Sequence, residues 1–344
     1  MTKRYLGNII TQNPTAPAGS YEDDAASGVW SLAEAFAYSK AGLWPKAGNF
    51  FPSTALWAPA GGSTNRIDTM SFLSTGNTSD FGDLTSSRAG TATMASSTRG
   101  LFAGGSDPNQ VAIDYVTITT SGNAADFGDM SFLNGAYSGG CSNSVRGLIG
   151  GGDEAFYYNN IQYLTIATLG NTLDFGDLSI AVKHPGGMAS PTIGVFSGGR
   201  AYTSPAETAV MGSVTIASTG NASNFGNLTV ARYQLASCST STRGVNGGGF
   251  TTTPSTYLNT IDYVTFSSLG SASDFGDLTV GRRQLGAASS SVYGAFGAGY
   301  TGSVNSNTID YVTIASTGNA SDWGDLTGGG QNLAGLSNQH GGLA

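Results

Sequence analysis

A nineteen-residue unit, IDYVTIASTGNASDWGDLT in its last copy from Ile309 to Thr327, recurs along this chain. Copies begin at Ile67, Ile113, Ile161, Met211, Ile261 and Ile309, spaced by 46, 48, 50, 50 and 48 residues. In all six the first residue stands 14 positions before an aromatic residue that is followed by glycine: Phe81, Phe127, Phe175, Phe225, Phe275 and Trp323. An apolar stretch precedes each copy and ends at Gly62, Gly105, Gly152, Gly199, Gly249 or Gly299. Units of this length cannot bury their own apolar faces, so they must stack on one another.

The last full repeat divides into four strand-sized pieces. QLGAASSS is rich in small residues, and VYGAFGAG is apolar and ends in glycine. TIDYVTIAS alternates apolar and polar residues, as a half-buried strand does. A turn around Gly318 and Asn319 joins it to SDWGDLT, which gives a hairpin signal. Four antiparallel strands per repeat make a propeller blade. A parallel β-solenoid is the competitor, but its coils are shorter and lack a repeated hairpin. The expected fold is therefore all-β, a six-bladed β-propeller over residues 51–344. The first glycine strand, Ala55–Gly62, has no first strand before it. QNLAGLSNQ near the C-terminus aligns with QLGAASSS and is expected to supply it, which removes the open sheet edges.

The glycine-doublet strand, the aromatic-containing strand and the aromatic before a leucine turn resemble the kelch repeat from about residue 54 to 344. Tyr115, Tyr163, Tyr263 and Tyr311 follow the pattern, whereas Thr69 and Ser213 depart from it, and the fourth-strand aromatic is usually Phe. The repeats look most like kelch-type proteins of marine tailed phages. AASGVWSLAEAFAYSKAGLWP, Ala25–Pro45, is similar to the N-termini of cyanophage virion structural and tail-fibre-like proteins. The resemblance implies a virion protein made in the host cytoplasm.

Within residues 1–50, Ser31 and Glu34 form a capping box behind Trp30 and predict a helix over Leu32–Lys40. Trp30, Phe36 and Trp44 are too many large apolar groups for so short a segment to bury. They are expected to pack on the propeller as a strap or to dock on other virion proteins.

Composition removes several function classes. The formal charge is −8 and only four lysines occur, with Lys183 alone beyond residue 46, which argues against nucleic-acid binding. No 18-residue apolar run exists to span a membrane. Asp-Phe-Gly recurs at Asp80, Asp126, Asp174 and Asp274 without the glycine loop of a kinase, and is expected to be a blade turn. Asp80 with Asp83, and their repeats, lack EF-hand spacing and become Asn224 and Asn227 in one blade. His184 and His340 are the only histidines, so no transition-metal centre or cofactor is expected. Cys141 and Cys238 match Met94, Met188, Ala288 and Gly335 in other repeats and read as packed strand residues.

Blade length varies between the second and third strands. From the last glycine to the next Ile or Met the gaps are 5, 8, 9, 12, 12 and 10 residues, while the interval from the aromatic to the next last glycine stays at 24 or 25. These variable loops carry Tyr157, Tyr158, Tyr202, Tyr257 and Tyr300. They share a face with the connections between blades, which carry Arg88, Arg232, Tyr233, Arg282 and Arg283. The expectation is a non-enzymatic phage surface protein that binds a host glycan, a host protein or another virion protein through this face, as a monomer or a homo-oligomer. The alternatives are an architectural decoration protein and a copper-dependent, galactose-oxidase-like enzyme.

Overall fold

The computed structural model describes residues 53–343 apart from 59–60, 62–63, 107–108, 133–135, 154–155 and 203–205. The predicted N-terminal helix and Trp30, Phe36 and Trp44 lie outside the described residues. From Ser53 onward the chain forms six four-stranded antiparallel sheets. It is a six-bladed β-propeller. Blade 2 shows the pattern, with strands Ala92–Ala95, Arg99–Ala103, Ala112–Thr117 and Ala125–Asp129 in that spatial order.

Burial follows the sequence of each strand. The first strands contact one another around the axis and are built largely of Gly, Ala and Ser. The second strand, RGLFA in blade 2, is buried beyond its first residue because blades cover both its faces. The third, AIDYVT, exposes its polar end, and the fourth, ADFGD, buries only its aromatic fully. The core is divided into interblade clusters. Leu56, Ile67 and Phe81 of blade 1 pack with Phe102, Val116 and Ile118 of blade 2.

The Asp-Phe-Gly motif is a bulged strand rather than the expected turn. In blade 2, Ile113 pairs with Gly128 but Asp114 pairs with Asp126, so Phe127 is the extra residue, and the same register shift recurs in all six blades. The bulge turns the aromatic inward and leaves glycine at φ 142°. A Cβ on Gly128 would lie 2.6 Å from the Gly170 backbone of the next blade.

That turn is bonded to the outer strand it touches. Gly170 N–H donates to Phe127 O at 2.9 Å, Thr172 N–H donates to Asp129 O at 2.9 Å, and Asp129 N–H donates to Asn171 Oδ1 at 3.0 Å. Asn123, Asn221, Asn319 and Asn77 accept in the same way from Asp83, Asp177, Asp277 and Asp325. Every outer strand thus has its edge groups engaged by a neighbouring blade. The Gly-Asn turns on this face are packing elements.

Blade 1 is closed from both ends of the propeller sequence. Ala334–Ser337 pairs antiparallel with Thr54–Ala58, with Leu336 opposite Leu56. The pairing sits one residue away from the sequence alignment, so Leu336, not Gly335, takes the place of Met94, Cys141, Met188, Cys238 and Ala288. Both cysteines are free and buried in first strands, as read from the repeats. Burial pushes the Cys141 thiol up to about 12 and the Cys238 thiol up as well.

Candidate functional site

One face of the propeller gathers the loops between second and third strands and the connections between blades. A short antiparallel bridge fastens connection to loop in each of five blades: Ala89 with Ser106, Ala136 with Asp153, Lys183 with Arg200, Tyr233 with Phe250, and Arg283 with Tyr300. The pairs at blades 2 and 3 are small or acidic, whereas those at blades 4 to 6 are basic or aromatic. The face is therefore chemically lopsided on a regular scaffold.

The basic and aromatic side chains form an arc. Tyr157 stacks on Tyr202 with ring centroids 3.9 Å apart, and Lys183 Nζ lies 4.8 Å from the Tyr157 ring centroid. Lys183 also pairs with Asp153 at 2.6 Å. Burial opposes its charge, but Asp153 and Tyr157 outweigh that and hold its pKa above the ordinary value. The Arg200 guanidinium lies 5.3 Å from the Tyr233 ring, whose edge meets Phe250 at 5.9 Å. Arg283 lies 4.7, 5.3 and 5.5 Å from the rings of Phe250, Tyr257 and Tyr300. A two-stranded hairpin, Phe250–Thr252 with Ser255–Tyr257, sets Phe250 and Tyr257 side by side.

Inside the arc a second ring surrounds the axis. Gly90, Tyr137, His184, Gln234, Gln284 and Asn332 occupy equivalent positions just before the first strands, and all six have φ between 53° and 67°. Each donates its backbone N–H to the carbonyl of the ring residue before it, at 2.8 to 3.3 Å, so the hydrogen bonds close into a circle. The strain of five non-glycine residues in this region, on the order of 1 kcal/mol each, is offset by the bonds it permits. Tyr137 stacks on His184 at 4.1 Å, and a Cβ on Gly90 would collide with the Tyr137 ring. Burial and the nearby charges of Lys183, Arg283 and Arg200 keep the His184 pKa well below its ordinary value.

The other end of the axis is covered by the C-terminal tail. His340 bonds Ala95 O at 2.9 Å and Ser142 Oγ at 3.2 Å. Gly341 and Gly342 press on backbone carbonyls of Thr240, Ala189 and Ser142, leaving no room for a Cβ. Between the two ends lies a cavity of about 140 Å³ among the first strands. Burial lowers the His340 pKa to about 4.

Three of the residues expected on the binding face are not there. Arg88, Arg232 and Arg282 are 0% exposed. Each turns inward to a third-strand aspartate: Asp114 at 2.7 Å, Asp262 at 3.0 Å and Asp310 at 3.1 Å. Those aspartates also accept the hydroxyls of Thr85, Thr229 and Thr279, from the DLT or NLT end of the preceding blade. Burial lowers the guanidinium pKa values and the aspartates oppose that shift. Their work is to bolt connection to blade. Tyr233 is only 5% exposed, its ring held among Arg200, Phe250 and His184, so it supports the arc rather than offering a free anchor.

The remaining expected residues do come together. Tyr202 is 63% exposed, and Tyr157, Tyr257, Tyr300 and Arg283 are half-buried along the arc. Tyr158 is half-buried and its backbone ties the loop to Gly152 and Val182. Sequence reasoning did not single out Tyr137, Arg200 or Phe250. The last two were within reach, because each stands directly after a repeat's last glycine, where Tyr300 also stands.

No protein-family model matches the chain, and no curated protein matches it. Among the described residues no group of three or more His, Cys, Asp or Glu is placed to hold a metal ion, and no helix is long and apolar enough to cross a membrane.

Proposed function

We propose that this chain is a non-catalytic binding module on the surface of a phage particle, and that it makes its contact through the face bearing the Tyr–Arg arc. The observation that carries this reading is the arc itself: side chains from blades 3 to 6 converge on one face, while blades 2 and 3 offer small or acidic pairs there. Rigid aromatic and arginine groups are the types that dominate binding energy at interfaces. The rings hold one another in place, so little ordering entropy is lost when a ligand meets them. The virion setting rests on the kelch-like repeats and the N-terminal resemblance, with residues 1–50 as the part that joins other virion proteins.

A metalloenzyme fits less well. His184 precedes a first strand and His340 follows one, which puts them at opposite ends of the axis, and one metal cannot take both. An architectural role is favoured by the continuous interblade bonding and is separated by experiment. Full-length protein carrying Tyr157→Ala and Tyr202→Ala is compared with the parent for binding to host cells. Loss of binding with an unchanged melting curve supports adhesion. Parent-like binding by the double variant assigns the propeller to architecture.

A further inference from the structure

The chemistry of the arc narrows the ligand, on the premise that this face is the contact surface. The protein carries −8 overall, yet Lys183, Arg200 and Arg283 all lie on this arc. They alternate with rings: Tyr202 and Tyr157 beside Lys183, Tyr233 beside Arg200, then Phe250, Tyr257 and Tyr300 around Arg283.

The arginines on the opposite face differ in one respect. Arg99, Arg146 and Arg243 also lie over tyrosine rings, but their guanidinium groups donate to carbonyls of Ile166, Ile216 and Ile314 at 2.7, 3.1 and 2.9 Å. Their donors are used within the fold. The Arg283 backbone pairs with Tyr300, but among the described residues its side chain makes neither a hydrogen bond nor an ion pair, and its Nε is buried without a partner. Arg200 makes one long bond, 3.5 Å to the Tyr233 hydroxyl. Two guanidinium groups are thus held in place by rings with their strong donors unspent. Burial holds the His184 pKa down, and the charges of Lys183, Arg283 and Arg200 lower it further, in line with positive potential at the mouth.

We propose that this face binds an acidic polysaccharide, with carboxylate or sulfate groups on Arg200 and Arg283 and a sugar ring on Tyr202. A pyranose has an apolar face that lies flat on an aromatic ring, and an acidic polymer alternates such faces with negative groups, as the arc alternates rings with cations. Tyr202 stacks on Tyr157 and is 63% exposed, so much of this side chain meets solvent. Single-stranded nucleic acid also pairs rings with charge, but it needs several open stacking platforms. Tyr233 and Phe250 are 5% and 7% exposed and cannot serve as such.

The test is binding of full-length protein to immobilised alginate, a polyuronate, with dextran sulfate, neutral dextran and oligo-dT as competitors. Alginate and dextran sulfate should bind and weaken as salt rises, and neutral dextran should not compete. Arg283→Gln, Arg200→Gln and Tyr202→Ala should each weaken alginate binding about tenfold or more. Tyr202 is exposed, so its variant stays interpretable if an arginine change disturbs folding. Alginate binding no better than dextran, stronger competition by oligo-dT, or parent-like binding by folded Tyr202→Ala and Arg200→Gln would overturn the assignment. Host-cell binding that persists without alginate binding overturns this inference alone. Loss of both overturns the reading of the face as well.

Discussion

The backbone N–H of Gly90 donates to the carbonyl of Asn332 at 2.9 Å. One residue introduces the second blade and the other lies in the C-terminal segment, so this bond completes the axial circle just as Leu336 opposite Leu56 completes the first sheet. Ring closure is therefore made twice, at the mouth and in the blade, by the same last residues of the chain.

Removing residues 331–344 should abolish cooperative melting, because it takes away Asn332, the strand Ala334–Ser337 and the His340 cover together. Removing only residues 340–344 should leave a cooperative transition at lower temperature. Calorimetry on both truncations distinguishes them. A 331–344 deletion that melts like the parent contradicts the closure.

The glycine of the bulged strand gives a site-specific contrast. A Cβ at Gly276, where φ is 143°, would sit 2.5 Å from Gly318 O, whereas a Cβ at Gly270 would meet nothing within 4 Å. Gly276→Ala should cost about 2 kcal/mol or more. Gly270→Ala should stay within about 0.5 kcal/mol of the parent by denaturant unfolding. Similar losses in the two variants would show that the interblade contact is looser than described.

Arg282 and Asp310 should behave as a buried pair. Arg282→Met leaves the Asp310 charge uncompensated and should cost about 3–5 kcal/mol. Adding Asp310→Leu should recover part of that loss, limited by the bond from Thr279 that also disappears. A purely additive double variant would mean that the two charges do not depend on each other.

Acid should weaken the fold through His340. Its pKa is about 4 in the folded chain against an ordinary value of 6.5, so between these pH values the unfolded chain binds more protons. Stability contributed by the neutral ring is present above pH 6.5 and falls as pH drops toward 4, by about 1.4 kcal/mol per pH unit within the window. His184 shifts in the same direction and adds to the slope. Urea unfolding of His340→Gln should show a shallower pH dependence than the parent. An unchanged slope would remove His340 from this role.

The repeats made the blades legible because each local pattern agreed with the global one. Alternation in IDYVT, the glycine-ended second strand and the constant distance to the aromatic all pointed to one architecture. The buried arginines were misplaced because connection residues were read as solvated. A signal was present: Arg88, Arg232 and Arg282 occur where the third strand holds Asp114, Asp262 and Asp310, while Val182 goes with Gly212 and Gly135 with Gln162. The axial circle was not legible, because its positions hold Gly, Tyr, His, Gln, Gln and Asn, and the Tyr and the two Gln carry no preference for a left-handed backbone. The Tyr–Arg arc was half legible. Loop composition placed tyrosines on the face, but only the bridges that align Lys183 with Arg200 and Arg283 with Tyr300 show which of them touch cations.

The most direct measurement is hydroxyl-radical footprinting of the full-length protein with and without host-cell envelope. Protection is expected at Tyr157, Tyr202, Tyr257 and Tyr300, with no change at Leu73, Leu169 and Leu269, which are exposed at the opposite turns. Protection of the three leucines with unchanged labelling of the tyrosines would contradict the claim that the Tyr–Arg arc is the contact surface.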